Sequence, residues 1–195
     1  EMRTVCFWKN KKVGEICNSA YFQEAYKQKY REVNFWNRKD LTESDFRSLI
    51  GCYSVNLWNA KVTDEDLKYL TGVPVINLGS TKVTDIGMRY LKGVRKINLV
   101  GTKVTNEGLQ YLTGVCKINL IGTEVTDTGM KHLKGISSID LSGTKVTDEG
   151  LKYLSGVQNI KLRYTQVTDV GVNYLRSTGT NKIYRFLFPL EKRNI

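Results

Sequence analysis

Asn34, Asn56, Asn77, Asn98 and Asn119 recur at one position of a repeating phrase, the last four at intervals of 21 residues. A carboxamide both donates and accepts, so a row of them can link side chain to side chain or read a ligand. Asp140, Lys161 and Tyr184 continue the row. Two residues further on stand Trp36, Trp58, Gly79, Val100, Ile121, Ser142, Arg163 and Phe186. Tryptophan at successive repeats, a notch at Gly79, and Val100 and Ile121 beyond predict an exposed apolar strip. Such strips mark partner contacts, and tryptophan is enriched at their energetic centres. The candidate partner-binding residues are therefore Trp36, Trp58, Asn56, Asn77, Asn98, Asn119, Val100, Ile121, Asp140 and Arg163.

Chemistry of other kinds finds no footing in the pattern. Catalysis needs convergent groups of different character, such as a nucleophile with its base, paired carboxylates or a phosphate-cradling loop. His132 is the only histidine, the glycines follow the repeat instead of a phosphate-loop motif, and Asp64, Asp85, Asp127, Asp148 and Asp169 recur at helix starts as caps. Cys6, Cys17, Cys52 and Cys116 are scattered with no CxxC, so neither a zinc set nor a disulfide framework is expected. The reading is of a chain without enzymatic activity, cofactor, metal or small-molecule substrate. Reduced core thiols and the lack of an apolar run of about 20 residues point to an intracellular protein that does not cross a membrane.

The elements that position these columns follow from the phrase itself. Val55/Leu57, Ile76/Leu78, Ile97/Leu99, Ile118/Leu120, Ile139/Leu141 and Ile160/Leu162 are apolar pairs at constant spacing of 21. Val33/Phe35 precedes them at 22 and Ile183 follows at 23. Alternation with period two predicts a strand at each pair. Thr followed by Asp or Asn then predicts an N-cap. Leu, Met or, at 172, Val followed three residues on by Leu70, Leu91, Leu112, Leu133, Leu154 or Leu175 predicts one buried face of a short helix. Gly72, Gly93, Gly114, Gly135 and Gly156 fit the left-handed position that ends it. A single unit cannot bury its own apolar side, so neighbours must stack into parallel strands with all helices on one side.

The run "VRKINLVGTKVTNEGLQYL" resembles a leucine-rich repeat, and "VTDEGL" is similar to the step of the cysteine-containing and F-box types. The resemblance spans residues 33 to 188 and implies an α/β solenoid, with a parallel sheet on the concave face and short helices on the convex face. Where the family carries Asn or Cys, this chain has Ala60, Thr81, Thr102, Thr123, Thr144 and Thr165. The threonine hydroxyls are expected to bond the turn backbone of a neighbouring repeat. The expected organisation is a helical N-terminal cap over 1–32, seven repeats over 33–180, and a capping strand and tail over 181–195 that Pro189 and charge bring to a stop. In the cap, "VCFWKNKKVGEICNSAYFQEAYKQKY" resembles the second half of an F-box, and the combination resembles proteins of large DNA viruses of amoebae. That kinship implies an adaptor or substrate-receptor role in a ubiquitin ligase.

The leading expectation is a protein–protein interaction module, with a second copy of the chain as one candidate partner. Nucleic acid is the alternative. The formal net charge is +11, and Tyr69, Tyr90, Tyr111, His132, Tyr153 and Tyr174 stand beside Lys68, Arg89, Lys131 and Lys152 on the helix side. Tyrosine rings half-buried between short helices, with lysines keeping that side soluble, are the competing account.

Overall fold

The computed structural model describes residues 32–185, together with the strand residues 7–8 and 11–12. Eight three-residue strands line up in sequence order in one parallel sheet. They are β3 (Glu32–Asn34), β4 (Ser54–Asn56), β5 (Val75–Asn77), β6 (Lys96–Asn98), β7 (Lys117–Asn119), β8 (Ser138–Asp140), β9 (Asn159–Lys161) and β10 (Lys182–Tyr184). Each pairs in phase with the next, Ile97 with Ile118 and Asn98 with Asn119. Main-chain hydrogen bonds continue past the strand ends, as from Leu99 N–H to the Asn119 carbonyl at 2.9 Å. β1 (Phe7–Trp8) and β2 (Lys11–Lys12) form a separate antiparallel pair. The expected helical stripes of 13–30, the F-box-like stretch beyond those four residues, and the tail with Phe186 and Pro189 lie outside the described residues.

The apolar pairs form the core. Val33/Phe35 through Ile160/Leu162 are at most 4% exposed. Against them pack Leu67, Met88, Leu109, Met130 and Leu151 with their partners three residues on, all buried. Burying each large side chain contributes roughly 1.5–3 kcal/mol, and only stacking makes that available. The helices are as short as the 21-residue period demands. Asp85–Met88 is one α-turn, followed by the 3₁₀ turn Arg89–Leu91. A 3₁₀ turn brings residues i and i+3 onto one line, which is how Met88 and Leu91 share one buried face. Gly93 then takes φ +86°, the left-handed value that a Cβ would penalise.

Two hydrogen-bond ladders differ from the sequence expectation. Thr81, Thr102, Thr123 and Thr144 do not bond a neighbouring repeat. Each hydroxyl donates to the Leu carbonyl three residues earlier in its own turn, at 2.6 to 2.7 Å. The short threonine side chain reaches its own backbone but cannot span the gap to the next repeat. The link between repeats is instead made by aspartate. Asp85 accepts from Thr105 N–H at 2.7 Å, from Thr105 Oγ1 at 2.7 Å and from Gly108 N–H at 3.0 Å. Asp127 does the same for Thr147 and Gly150. Asp64 with Thr84 and Asp148 with Thr168 extend the row. Thr105 meanwhile caps its own helix by accepting from Glu107 N–H. Each aspartate thus caps the following repeat, not its own.

Candidate functional site

Alternation places three columns of each strand on the exposed sheet face, two residues apart. The middle column is the asparagine row. Every oxygen in it is already engaged: Asn77 Oδ1 accepts from Gly79 N–H, Asn98 Oδ1 from Val100 N–H and Asn119 Oδ1 from Ile121 N–H, each at 3.1 Å. A backbone N–H can only donate, so the amide oxygen must face it and the NH₂ group points the other way. The expected amide-to-amide chain exists at one step, Asn56 Nδ2 to Asn34 Oδ1 at 3.1 Å. The NH₂ groups of Asn77, Asn98 and Asn119 donate to no other described residue. The row is a set of turn locks that leaves outward-facing donors.

The next column holds Trp36, which is 60% exposed, then Trp58, Gly79, Val100 and Ile121. Gly79 does not leave an open notch. A Cβ there would sit 2.3 Å from two carbons of the Trp58 ring, so the indole packs directly against this glycine and is half-buried. Trp36 is the exposed aromatic among the described residues of this column, and Val100 and Ile121 are half-buried. Asp140 is the one buried member of the candidate set. It is only 7% exposed, accepts from Ser142 Oγ at 2.6 Å, and is paired with Lys161 at 3.2 Å. A carboxylate so engaged organises its neighbours and has little left for a ligand. Arg163 stands half-buried at the far end of the column.

Sequence reasoning passed over the third column, one residue before each buried strand residue: Glu32, Ser54, Val75, Lys96, Lys117, Ser138, Asn159 and Lys182. The same period-two rule that exposed the asparagines exposes these, so the signal was present. Ser54, Val75, Lys96, Lys117, Ser138 and Asn159 line one wall of a trough of about 490 Å³ whose other wall is the asparagine row.

The helix side is electrically balanced by comparison. Arg47 meets Glu43 at 2.7 Å, Arg89 meets Glu65 at 2.9 Å, Lys152 meets Glu149 at 2.6 Å, and Lys145 is paired with Glu124. Hydrogen bonds to Tyr90 and Glu149 respectively raise the Arg89 and Lys152 pKa values above their ordinary ranges. Lys68 lies 5.0 Å from the Tyr69 ring centre and Arg89 4.9 Å from that of Tyr90. Tyr69, Tyr90 and Tyr174 pack against the core, as expected of half-buried rings. Cys52 is buried and Cys116 half-buried, both free thiols. The described residues include no group of three His, Cys, Asp or Glu placed to hold a metal ion, and no helix long and apolar enough to cross a membrane.

Residues 136–155 match a family model described as Leucine Rich repeat. Among solved structures, internalin C2 of Listeria monocytogenes aligns at 17% identity with a TM-score of 0.62, covering 80% of each chain. The chain is a leucine-rich-repeat solenoid in fold. A second Listeria monocytogenes internalin aligns at 15% identity and TM-score 0.62, over 80% of this chain and 48% of that one. The leucine-rich-repeat ectodomain of the Arabidopsis receptor kinase HAESA, in complex with a peptide hormone ligand, aligns at 12% identity and TM-score 0.54. There the match covers 80% of this chain and 28% of the ectodomain, so this solenoid spans under half the length of those two relatives. No curated protein matches the sequence.

Proposed function

We propose that this solenoid is a protein-binding module without catalytic activity, and that its exposed sheet face is the docking surface. The observation that carries the reading is the trough of about 490 Å³ running across the strands. Its asparagine wall presents the outward donors of Asn77, Asn98 and Asn119, beside the half-buried Val100 and Ile121 and the exposed Trp36. The HAESA complex supports it by analogy of fold, because that ectodomain holds a peptide. The nucleic-acid alternative loses support on the helix side, where acids sit against Arg47, Arg89, Lys145 and Lys152.

Partner capture with matched variants tests the reading. Trp36→Ser/Val100→Lys should lose the bound protein while circular dichroism stays unchanged, and Lys131→Glu on the helix side should keep it. The reverse pattern refutes the proposal. Self-association belongs to the same experiment: a doubled mass in light scattering that Trp36→Ser/Trp58→Ser returns to the single-chain value identifies the partner as a second copy.

A further inference from the structure

The charge on the sheet face narrows the partner. Lys96, Lys117, Lys161, Lys182 and Arg163 stand on it against two acids, Glu32 and Asp140. Asp140 is already held by Lys161, and Glu32 lies at the β3 end. Lys96, Lys117 and Lys182 are exposed and make no ion pair with any described residue. Beside two of them run the NH₂ groups of Asn77, Asn98 and Asn119, whose oxygens are tied down by their own turns. The face therefore offers cations and neutral donors with few free acceptors.

We propose that the trough holds an extended acidic peptide segment, its carboxylates against Lys96 and Lys117 and its main-chain carbonyls against Asn77, Asn98 and Asn119. The inference rests on the protein-binding reading above and deepens it. Neighbouring strands lie about 4.8 Å apart, so three successive donors span roughly 10 Å, the length of about three extended residues. Residues two apart on one strand are about 6.6 Å apart, which sets the lysine row a side-chain's reach from the donors. An extended chain sends alternate side chains to opposite sides. Acidic side chains then fall on the lysine row and apolar ones on Val100 and Ile121. Eight strands cover about 34 Å, a footprint of roughly ten residues.

Charge and shape favour this occupant over two others. A second copy docking through the middle of the face would bring the same lysines against Lys96 and Lys117, and like charges repel. Single-stranded nucleic acid wants aromatic platforms beside its phosphates, and the central positions are Val100 and Ile121.

Selection from a display library of random segments of about ten residues, against the full chain, tests the inference. Enriched sequences should carry Asp or Glu alternating with apolar residues. Lys96→Ala/Lys117→Ala should weaken a selected peptide about tenfold, and more steeply at low salt. Lys96→Glu/Lys117→Glu should invert the selection toward Lys and Arg. Selected peptides without acidic bias, unchanged affinity in the double variants, or displacement of the peptide by oligouridylate at lower concentration would each overturn it. Neutral peptides that still depend on Asn98 would remove the charge argument and leave the docking face standing. No enrichment at all, with partner capture indifferent to Trp36→Ser/Val100→Lys, would remove both.

Discussion

Asn106 holds the place that Asp64, Asp85, Asp127 and Asp148 occupy in the other repeats, and the substitution changes the direction of a hydrogen bond. Its Nδ2 donates to Thr126 Oγ1 at 2.9 Å, where an aspartate would accept from that hydroxyl. The Thr126 hydroxyl lies 3.1 Å from that of Thr128 and no longer caps its own helix. Gly129 N–H bonds the Thr126 carbonyl, while Gly108 and Gly150 reach the aspartate before them. Asn106→Asp should restore the pattern and stabilise the fold by about 0.5–1 kcal/mol, read as a higher urea midpoint at unchanged slope. Asp85→Ala should cost about 1–3 kcal/mol by leaving three donors of the next repeat without their acceptor. Gly79→Ala sets a methyl where the Trp58 ring lies, so the indole should swing outward, with a red-shifted fluorescence and a cost of about 1–3 kcal/mol. Residues of this kind were only half legible. Thr-Asp announced a cap, but constant spacing looks the same whether the carboxylate serves its own helix or the next. The conformation of Trp58 over Gly79 depends on a neighbour 21 residues away that no local pattern names.

Strands and helices were the most legible level, because each strand's alternation and each helix's buried pair repeats in register and a single error would break the series. The asparagine row was legible as a column, and of the amide-to-amide chain its spacing allowed only the Asn56–Asn34 step forms among the described residues. Period two fixes which residues share a face, whereas the choice between a neighbour's amide and the backbone N–H two residues on is a matter of reach. The lysine row of Lys96 and Lys117 obeyed the same rule and was masked by reading outward only from the core pair toward its C-terminal side. At the first described helix, Glu43–Arg47, an interaction between elements can be tested by titration. Tyr69 Oη donates to Glu43 at 2.5 Å and Arg47 adds an ion pair, and these lower the Glu43 pKa, the Tyr69 bond being the larger cause. A carboxylate lowered in the folded state contributes stability that is present above its unfolded pKa and lost as pH falls through the folded value. Tyr69→Phe should move the Glu43 midpoint up toward the ordinary glutamate range, followed by carbon NMR of the side-chain carboxyl, while Arg47→Gln should move it by less.

At the scale of the whole molecule the described repeats form a stack joined throughout by paired strands and a buried apolar layer, to which the aspartate ladder adds a third link between Asp64 and Thr168 except where Asn106 interrupts it. Length and function are then separable in a way that a globular domain does not allow. Deleting residues 117–137 joins Cys116 to Ser138 in phase, since Ser137 holds the place of Cys116 one repeat on. The shortened chain should keep its circular dichroism per residue, and its denaturant slope should fall by roughly one repeat in seven, because the slope follows the surface exposed on unfolding. The same deletion removes Lys117, Asn119 and Ile121 together, the centre of the proposed face. Deleting 138–158 instead removes Asp140 and leaves those three in place. Binding that survives the second deletion and is lost in the first would assign the partner's contact to the central strands, apart from any effect of length. Equal loss in both would mean that the partner reads the overall curvature of the solenoid, and the lysine and asparagine rows would then have no privileged part in docking.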